Sequence, residues 1–172
     1  MGKDKNYIYY VEGECEEKLL KTLKTDMQLI RPGKVLKCNV VQTKIKRAQL
    51  TTLKRGTTAV LVFDTDTKNT DILKENIDIL NKENAISKVI CITQVDNLED
   101  EIVRSCDVKN AYNLTNSKSA GTFKHDFINA TNLKGTLENH KFCFKDLWSK
   151  TPRNEQYKGI VNGADSIRLI KI

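Results

Sequence analysis

Apolar and polar positions along this chain follow two alternating rhythms. Tyr7 to Val11, Val35 to Val41, Ala59 to Phe63 and Val89 to Thr93 are short apolar runs of strand length. Between them, apolar residues recur every three or four positions, the spacing of one helix face. Leu19, Leu20, Leu23 and Met27 predict a helix over Glu14 to Met27, with Glu14, Glu16 and Glu17 suited to its positive N-terminal end. Arg31-Pro32-Gly33 reads as a turn. A basic helix is expected over Ile45 to Leu53, closed by Gly56. Ile72, Leu73, Ile77 and Leu80 predict a helix over Thr70 to Glu83, with Thr70 as its cap. Leu98 to Cys106 reads as a short helix. The Ala59 to Phe63 run is continuously apolar, as a strand covered on both faces requires. Strands separated by helices imply βαβ units, hence an α/β fold with a mainly parallel sheet.

Beyond Cys106 the pattern weakens. Asn113 to Gly121 is polar and reads as a loop, and Phe123 to Ala130 as a helix. Phe142, Phe144, Leu147 and Trp148 form an aromatic cluster suited to core or lid contacts, and Ile167 to Ile170 is expected as an edge strand. The 172 residues fit one domain, with a core over about 5–105 and an extension over about 106–172.

Two strand ends carry acid. The first run is followed by Glu12-Gly13 and the third by Asp64-Thr65-Asp66. In a parallel sheet the carboxyl ends of strands line one crevice, where ligands bind. Residues i and i+2 of an extended segment point the same way, so Asp64 and Asp66 can share one ion or hold two. Carboxylates gathered without basic partners repel one another unless a cation joins them. Mg²⁺ suits this set of hard oxygen donors and bridges readily to phosphate, with Mn²⁺ as an alternative. Glu12 could ligate the metal or transfer a proton, and Gly13 allows a tight turn. The plainer reading is that Asp64 or Asp66 caps a turn.

The net charge of +7 suits a polyanion partner. Lys44, Lys46, Arg47, Lys54 and Arg55 concentrate it, and could track a nucleic-acid backbone or form a solvated helix face. Five scattered cysteines and two histidines argue for reduced, buried thiols rather than disulfides, zinc or a His-rich site. No run is long enough for a membrane helix, and the first residues lack the apolar core of a signal peptide. A cytoplasmic location without membrane contact is expected.

Val11-Glu12-Gly13-Glu14-Cys15-Glu16 resembles the first motif of the TOPRIM domain, and Leu61-Val62-Phe63-Asp64-Thr65-Asp66 resembles its Asp-x-Asp motif. The likeness covers about residues 5–105 and is similar to the small stand-alone, OLD-family and RloB-like TOPRIM nucleases. It implies a compact α/β sandwich with a four-stranded, mainly parallel sheet, and Mg²⁺-dependent cleavage of a nucleic-acid phosphodiester in defence or RNA processing. It further implies an acidic residue after the fourth strand, matched by Glu99, and a downstream lysine that stabilises transition-state charge. Lys124 is the first candidate for that lysine and Lys118 the second. Glu99 reads equally as an N-terminal helix carboxylate. The expected partner is DNA or RNA, with an ATPase or other subunit, or a second copy of the chain, as further candidates. No topoisomerase tyrosine motif and no ATPase region is present.

Two rivals stand beside this reading. A haloacid-dehalogenase-type phosphatase also begins from Asp-x-Asp, but wants Thr or Val where Lys68 stands and leaves Glu12-Gly13 unexplained. A non-catalytic basic α/β module would use the basic stretch to bind nucleic acid or protein. No Walker-type loop supports a nucleotide-binding reading.

Overall fold

The computed structural model describes residues 6–169. The fold is α/β, with four parallel strands flanked by helices. β1 (Tyr7–Val11), β2 (Lys34–Lys37), β3 (Thr57–Asp64) and β4 (Ile86–Gln94) lie in the order β2-β1-β3-β4. Every pairing is parallel. The register sets Val11 beside both Lys37 and Val62, and Asp64 beside Gln94. The carboxyl ends of the strands therefore finish nearly level.

Alternation along the strands divides the core in two. Tyr9, Val11, Val60, Val62, Ile90 and Ile92 face one side. Ile8, Tyr10, Ala59, Leu61 and Phe63 face the other. The first side is covered by α1 (Glu14–Lys21), α4 (Leu98–Ser105), α6 (Ala120–Asn129) and α7 (Leu133–Asn139), through residues such as Leu19, Ile102, Phe127 and Leu137. The second is covered by α3 (Asp71–Lys82), through Leu73 and Leu80, and by Val40, Val41, Ile45 and Leu50. Seven of the eight β3 residues are buried, as its unbroken apolar run predicts. Among the described residues, no helix is long and apolar enough to cross a membrane.

Several elements differ from expectation, each for a local reason. α1 ends at Lys21 and passes into a π-helical turn, Thr22–Asp26, so the helix expected to reach Met27 widens in its last turn. β2 stops at Lys37 because Asn39 turns the chain, its side chain accepting from the backbone N–H of Val41 and Gln42. Val40 and Val41 are still buried, but as loop residues. The basic helix shrinks to one turn, α2 (Arg47–Leu50). Ile45 instead donates its backbone N–H to buried Asn76, and the Thr51 and Thr52 hydroxyls bond back to Ala48 and Gln49 carbonyls. Thr70 makes no side-chain cap; Asn69 accepts from Asp71 N–H in its place.

The expected loop after Asn113 holds a helical turn, α5 (Ala111–Leu114), and the start of α6. α7 is additional, started by Asn132 accepting from Gly135 N–H. Residues Ala164–Ile167 form a 3-10 turn rather than an edge strand. Arg168 bridges Ile30 outside the sheet, and Ile170 lies outside the described residues. The β4 edge is met by Asn162 at Cys91, with Gly163 N–H donating to Cys91 carbonyl at 2.7 Å. A Cβ on Gly163 would come within 2.5 Å of Ile90, so this approach requires glycine.

Glu101 joins the extension to the sheet. Its fully buried carboxylate accepts from Val95 N–H at 2.8 Å, Arg104 at 2.7 Å and Trp148 N–H at 2.8 Å. Glu101→Ala leaves two buried amides and a guanidinium without their acceptor. We expect a loss of about 3–5 kcal/mol, lowering the thermal midpoint by about 10 °C. Calorimetry of the variant checks this; a midpoint within a degree or two of the native chain would contradict it.

Candidate carboxylate site at the strand ends

The turn after β1 presents Glu12, and the end of β3 presents Asp64 and Asp66. Thr65 between them is buried and clamped to the end of β4. Its backbone N–H donates to the Gln94 carbonyl at 3.1 Å and its hydroxyl to the same carbonyl at 3.0 Å. The chain beyond β4 turns through Asp96, whose left-handed φ of 64° is uncommon for a non-glycine residue. With Thr65 committed to β4, its two neighbours are free to face the crevice.

The site is an electrostatic cluster. Burial pushes the Asp64 carboxyl up to about 9, helped by Glu12, Glu16, Asp66 and Glu99. One Asp64 oxygen, Oδ1, is buried with no hydrogen-bond partner. Glu12 is also raised, first by burial and then by Asp66 and Glu99, against the lowering effect of the Asp64 backbone amide and of Lys124. Glu99 reaches the cluster from the first turn of α4, and Lys124 from α6. Their charged groups lie 3.6 Å apart, and Glu99 is the main cause of the raised Lys124 pKa. The five residues Glu12, Asp64, Asp66, Glu99 and Lys124 thus share one neighbourhood. Lys118 is exposed in the bend before α6 and is not among the charges acting on Glu12 or Asp64.

Sequence reasoning gave two neighbours no place in the site: Glu16 was read only as a first-turn helix acid, and Tyr157 was not singled out. Glu16 is buried beside the cluster, its pKa raised by burial, and its Oε2 accepts Gly13 N–H at 3.1 Å. The Gly13-x-x-Glu16 spacing is that of a helix-start box and could have flagged it. Tyr157 comes from the far end of the chain. Fully buried and stacked near Phe63, it places its hydroxyl 3.3 Å from that of Thr67. Asn154 donates to the Thr67 carbonyl at 2.8 Å. Nothing local to Tyr157 announces this contact, since the partners lie 90 positions apart.

The basic stretch is divided. Lys44 and Lys46 line a cleft of about 330 Å³ together with Glu12 and Lys37. Lys44 pairs with Glu75 at 2.5 Å, and Lys37 with Glu14 at 3.0 Å. Lys54 lines a separate groove at the opposite end of the sheet. Arg47 and Arg55 are exposed and line neither.

Among the described residues, no three His, Cys, Asp or Glu side chains close into a ready metal-holding group. The donor chemistry nevertheless fits a hard divalent cation: all-oxygen ligands, mutual repulsion and an orphaned Asp64 oxygen. No family model, curated protein or solved structure matches the chain.

Asp64 also makes stability depend on pH. Its folded-state pKa of about 9 lies far above the ordinary 3.8. Between those values the folded chain keeps a proton that the unfolded chain has released. The stabilisation is full below about pH 4 and is lost as pH rises through 9. In cation-free buffer the denaturation midpoint should fall from pH 5 to pH 9, and Asp64→Asn should flatten that fall. Parallel native and variant slopes would show that Asp64 is not the titrating group.

Proposed function

We propose that this protein is a metal-dependent nuclease of TOPRIM type, cutting a nucleic-acid phosphodiester at the strand-end carboxylates. The carrying observation is the convergence of Glu12, Asp64 and Asp66 at the carboxyl ends of adjacent parallel strands, with Asp64 strongly disfavoured as a lone anion. Glu99 and Lys124 in the same neighbourhood support the reading. So does the resemblance of the two motifs.

Glu12, Asp64 and Asp66 would hold Mg²⁺ or Mn²⁺, with Glu99 as a further ligand. When bound, the metal supplies Lewis-acid stabilisation of charge on the phosphate oxygens. The remaining roles fall to the chain itself. Glu12, whose carboxyl burial raises above its ordinary pKa, is suited to hold or pass a proton at its carboxyl oxygen. Lys124 brings a positive charge, balanced at rest by Glu99, that can turn toward negative charge developing on the substrate. Lys44 and Lys46 flank Glu12 and would receive the backbone phosphates.

A second reading keeps the same surface without turnover. Lys44 and Lys46 beside Glu12 would then be the working surface of a binding module, its carboxylates only a weak cation site.

Labelled single- and double-stranded DNA and RNA, incubated with Mg²⁺, Mn²⁺ or EDTA, separate the two. Metal-dependent cutting should appear, and Asp64→Ala and Glu12→Ala should each slow it by more than about 100-fold, corresponding to several kcal/mol of lost stabilisation. Binding without cutting, insensitive to both changes, would establish the module instead. As an independent check, Mg²⁺ should raise the native thermal midpoint, since a ligand that binds only the folded state stabilises it. Asp64→Asn should remove that rise; a rise of equal size in the variant would place the cation elsewhere.

A further inference from the structure

At the opposite end of the sheet from the carboxylates lies an open groove of about 1330 Å³, around the starts of β1, β2, β3 and β4. Its described lining contains Arg31, Lys34, Lys54 and Lys88 and no aspartate or glutamate. All four side chains are exposed, and none has a carboxylate partner among the described residues. The contrast with the other end is sharp, since Lys37, Lys44 and Lys124 are paired there with Glu14, Glu75 and Glu99. Uncompensated cations around one concavity raise the local concentration of anions and suit a partner that carries repeated negative charge.

The groove and the carboxylate cleft are joined along one side of the molecule. β2 is an edge strand of the sheet, with Lys34 at its groove end and Lys37 at its cleft end. Gln49 of α2 borders both concavities. The distance between them follows from β3, whose Thr57 lies at the groove and whose Asp64 lies at the site. Seven steps of about 3.3 Å give roughly 23 Å. At about 3.4 Å of rise per nucleotide, a strand spanning both would need about seven nucleotides.

We propose that this groove is a second nucleic-acid backbone site, and that a bound strand runs along the β2 edge from the carboxylates into it. Its link to the carboxylates rests on the nuclease reading; its affinity for nucleic acid does not. The cations meet phosphates, so the groove adds affinity and grip on length without reading sequence. Duplexes shorter than about seven base pairs lose this contribution to productive binding, because at duplex rise they cannot reach the groove while seated at the site.

The test is binding in EDTA, where no cleavage interferes. The probes are fluorescent single strands and duplexes of about 20 nucleotides of DNA and RNA, titrated across a range of KCl, with phosphatidylserine vesicles as a separate arm. One variant carries Arg31→Gln, Lys34→Gln, Lys54→Gln and Lys88→Gln. A control variant removes the same charge through Lys82→Gln, Lys109→Gln, Lys145→Gln and Lys150→Gln, all exposed and outside the groove. The groove variant should bind single strands at least tenfold more weakly. Its slope of log affinity against log salt should flatten by about 3, as four lost phosphate contacts require. The control should bind almost as well as the native chain. Unchanged affinity and slope in the groove variant would overturn the proposal, as would an equal loss in the control. Loss confined to phosphatidylserine vesicles, with nucleic-acid binding intact, would overturn it in favour of a membrane surface. Failure here with metal-dependent cutting intact removes the groove alone. Groove-dependent binding with no cutting removes the nuclease reading alone.

Discussion

β3 is paired on both edges and covered on both faces, so the chain leaves the sheet at Asp64 while still largely out of water. That desolvation governs the site. A carboxylate there gains little from solvent, and the neighbouring charges that act on it most strongly are negative. The fold accepts an unfavourable position at the end of its best-buried strand, and such local conflict is characteristic of places kept for chemistry. Elsewhere the same strand is buried along its length, and this supplies the stability that the conflict draws on.

The residues after α4 serve this arrangement from outside the sheet. Glu101 ties the loop beyond β4 to the backbone of Trp148. That loop in turn grips Thr65, through the Gln94 and Asp96 carbonyls. Tyr157 and Asn154 hold Thr67 from the other side. The stretch from Asp64 to Thr67 is therefore fixed at Thr65 and Thr67 by two different parts of the chain, while Asp64 and Asp66 beside them are left free of such ties. Rigid support around reactive groups reduces what must be ordered when a ligand arrives.

Much of this was legible in the sequence because parallel α/β folds obey one-dimensional rules. Apolar runs gave four strands, and the shared direction of those strands was enough to bring Glu12 together with Asp64 and Asp66. Glu99 was reachable for the same reason, as an acid just after the fourth strand. Lys124 came through family resemblance rather than spacing. The basic stretch was misjudged as one helix because its breaks are made by side-chain bonds. Asn39, Asn76, Thr51 and Thr52 divert the backbone, and their hydrogen bonds leave little trace in hydrophobic periodicity. α7 escaped because two buried leucines, Leu133 and Leu137, are too few to set a rhythm. Tyr157 was beyond reach, since its role depends on where the chain returns in space.

That late return has a consequence for timing. The loop bearing Asp66 is held by Asn154 and Tyr157, which emerge from the ribosome nearly ninety residues after it. At ordinary synthesis rates the interval is on the order of ten seconds. The sheet's strands are all made before then, yet their acidic corner lacks these anchors until Asn154 and Tyr157 have been added. Completion of the carboxylate corner is thereby coupled to synthesis of the segment that follows α7.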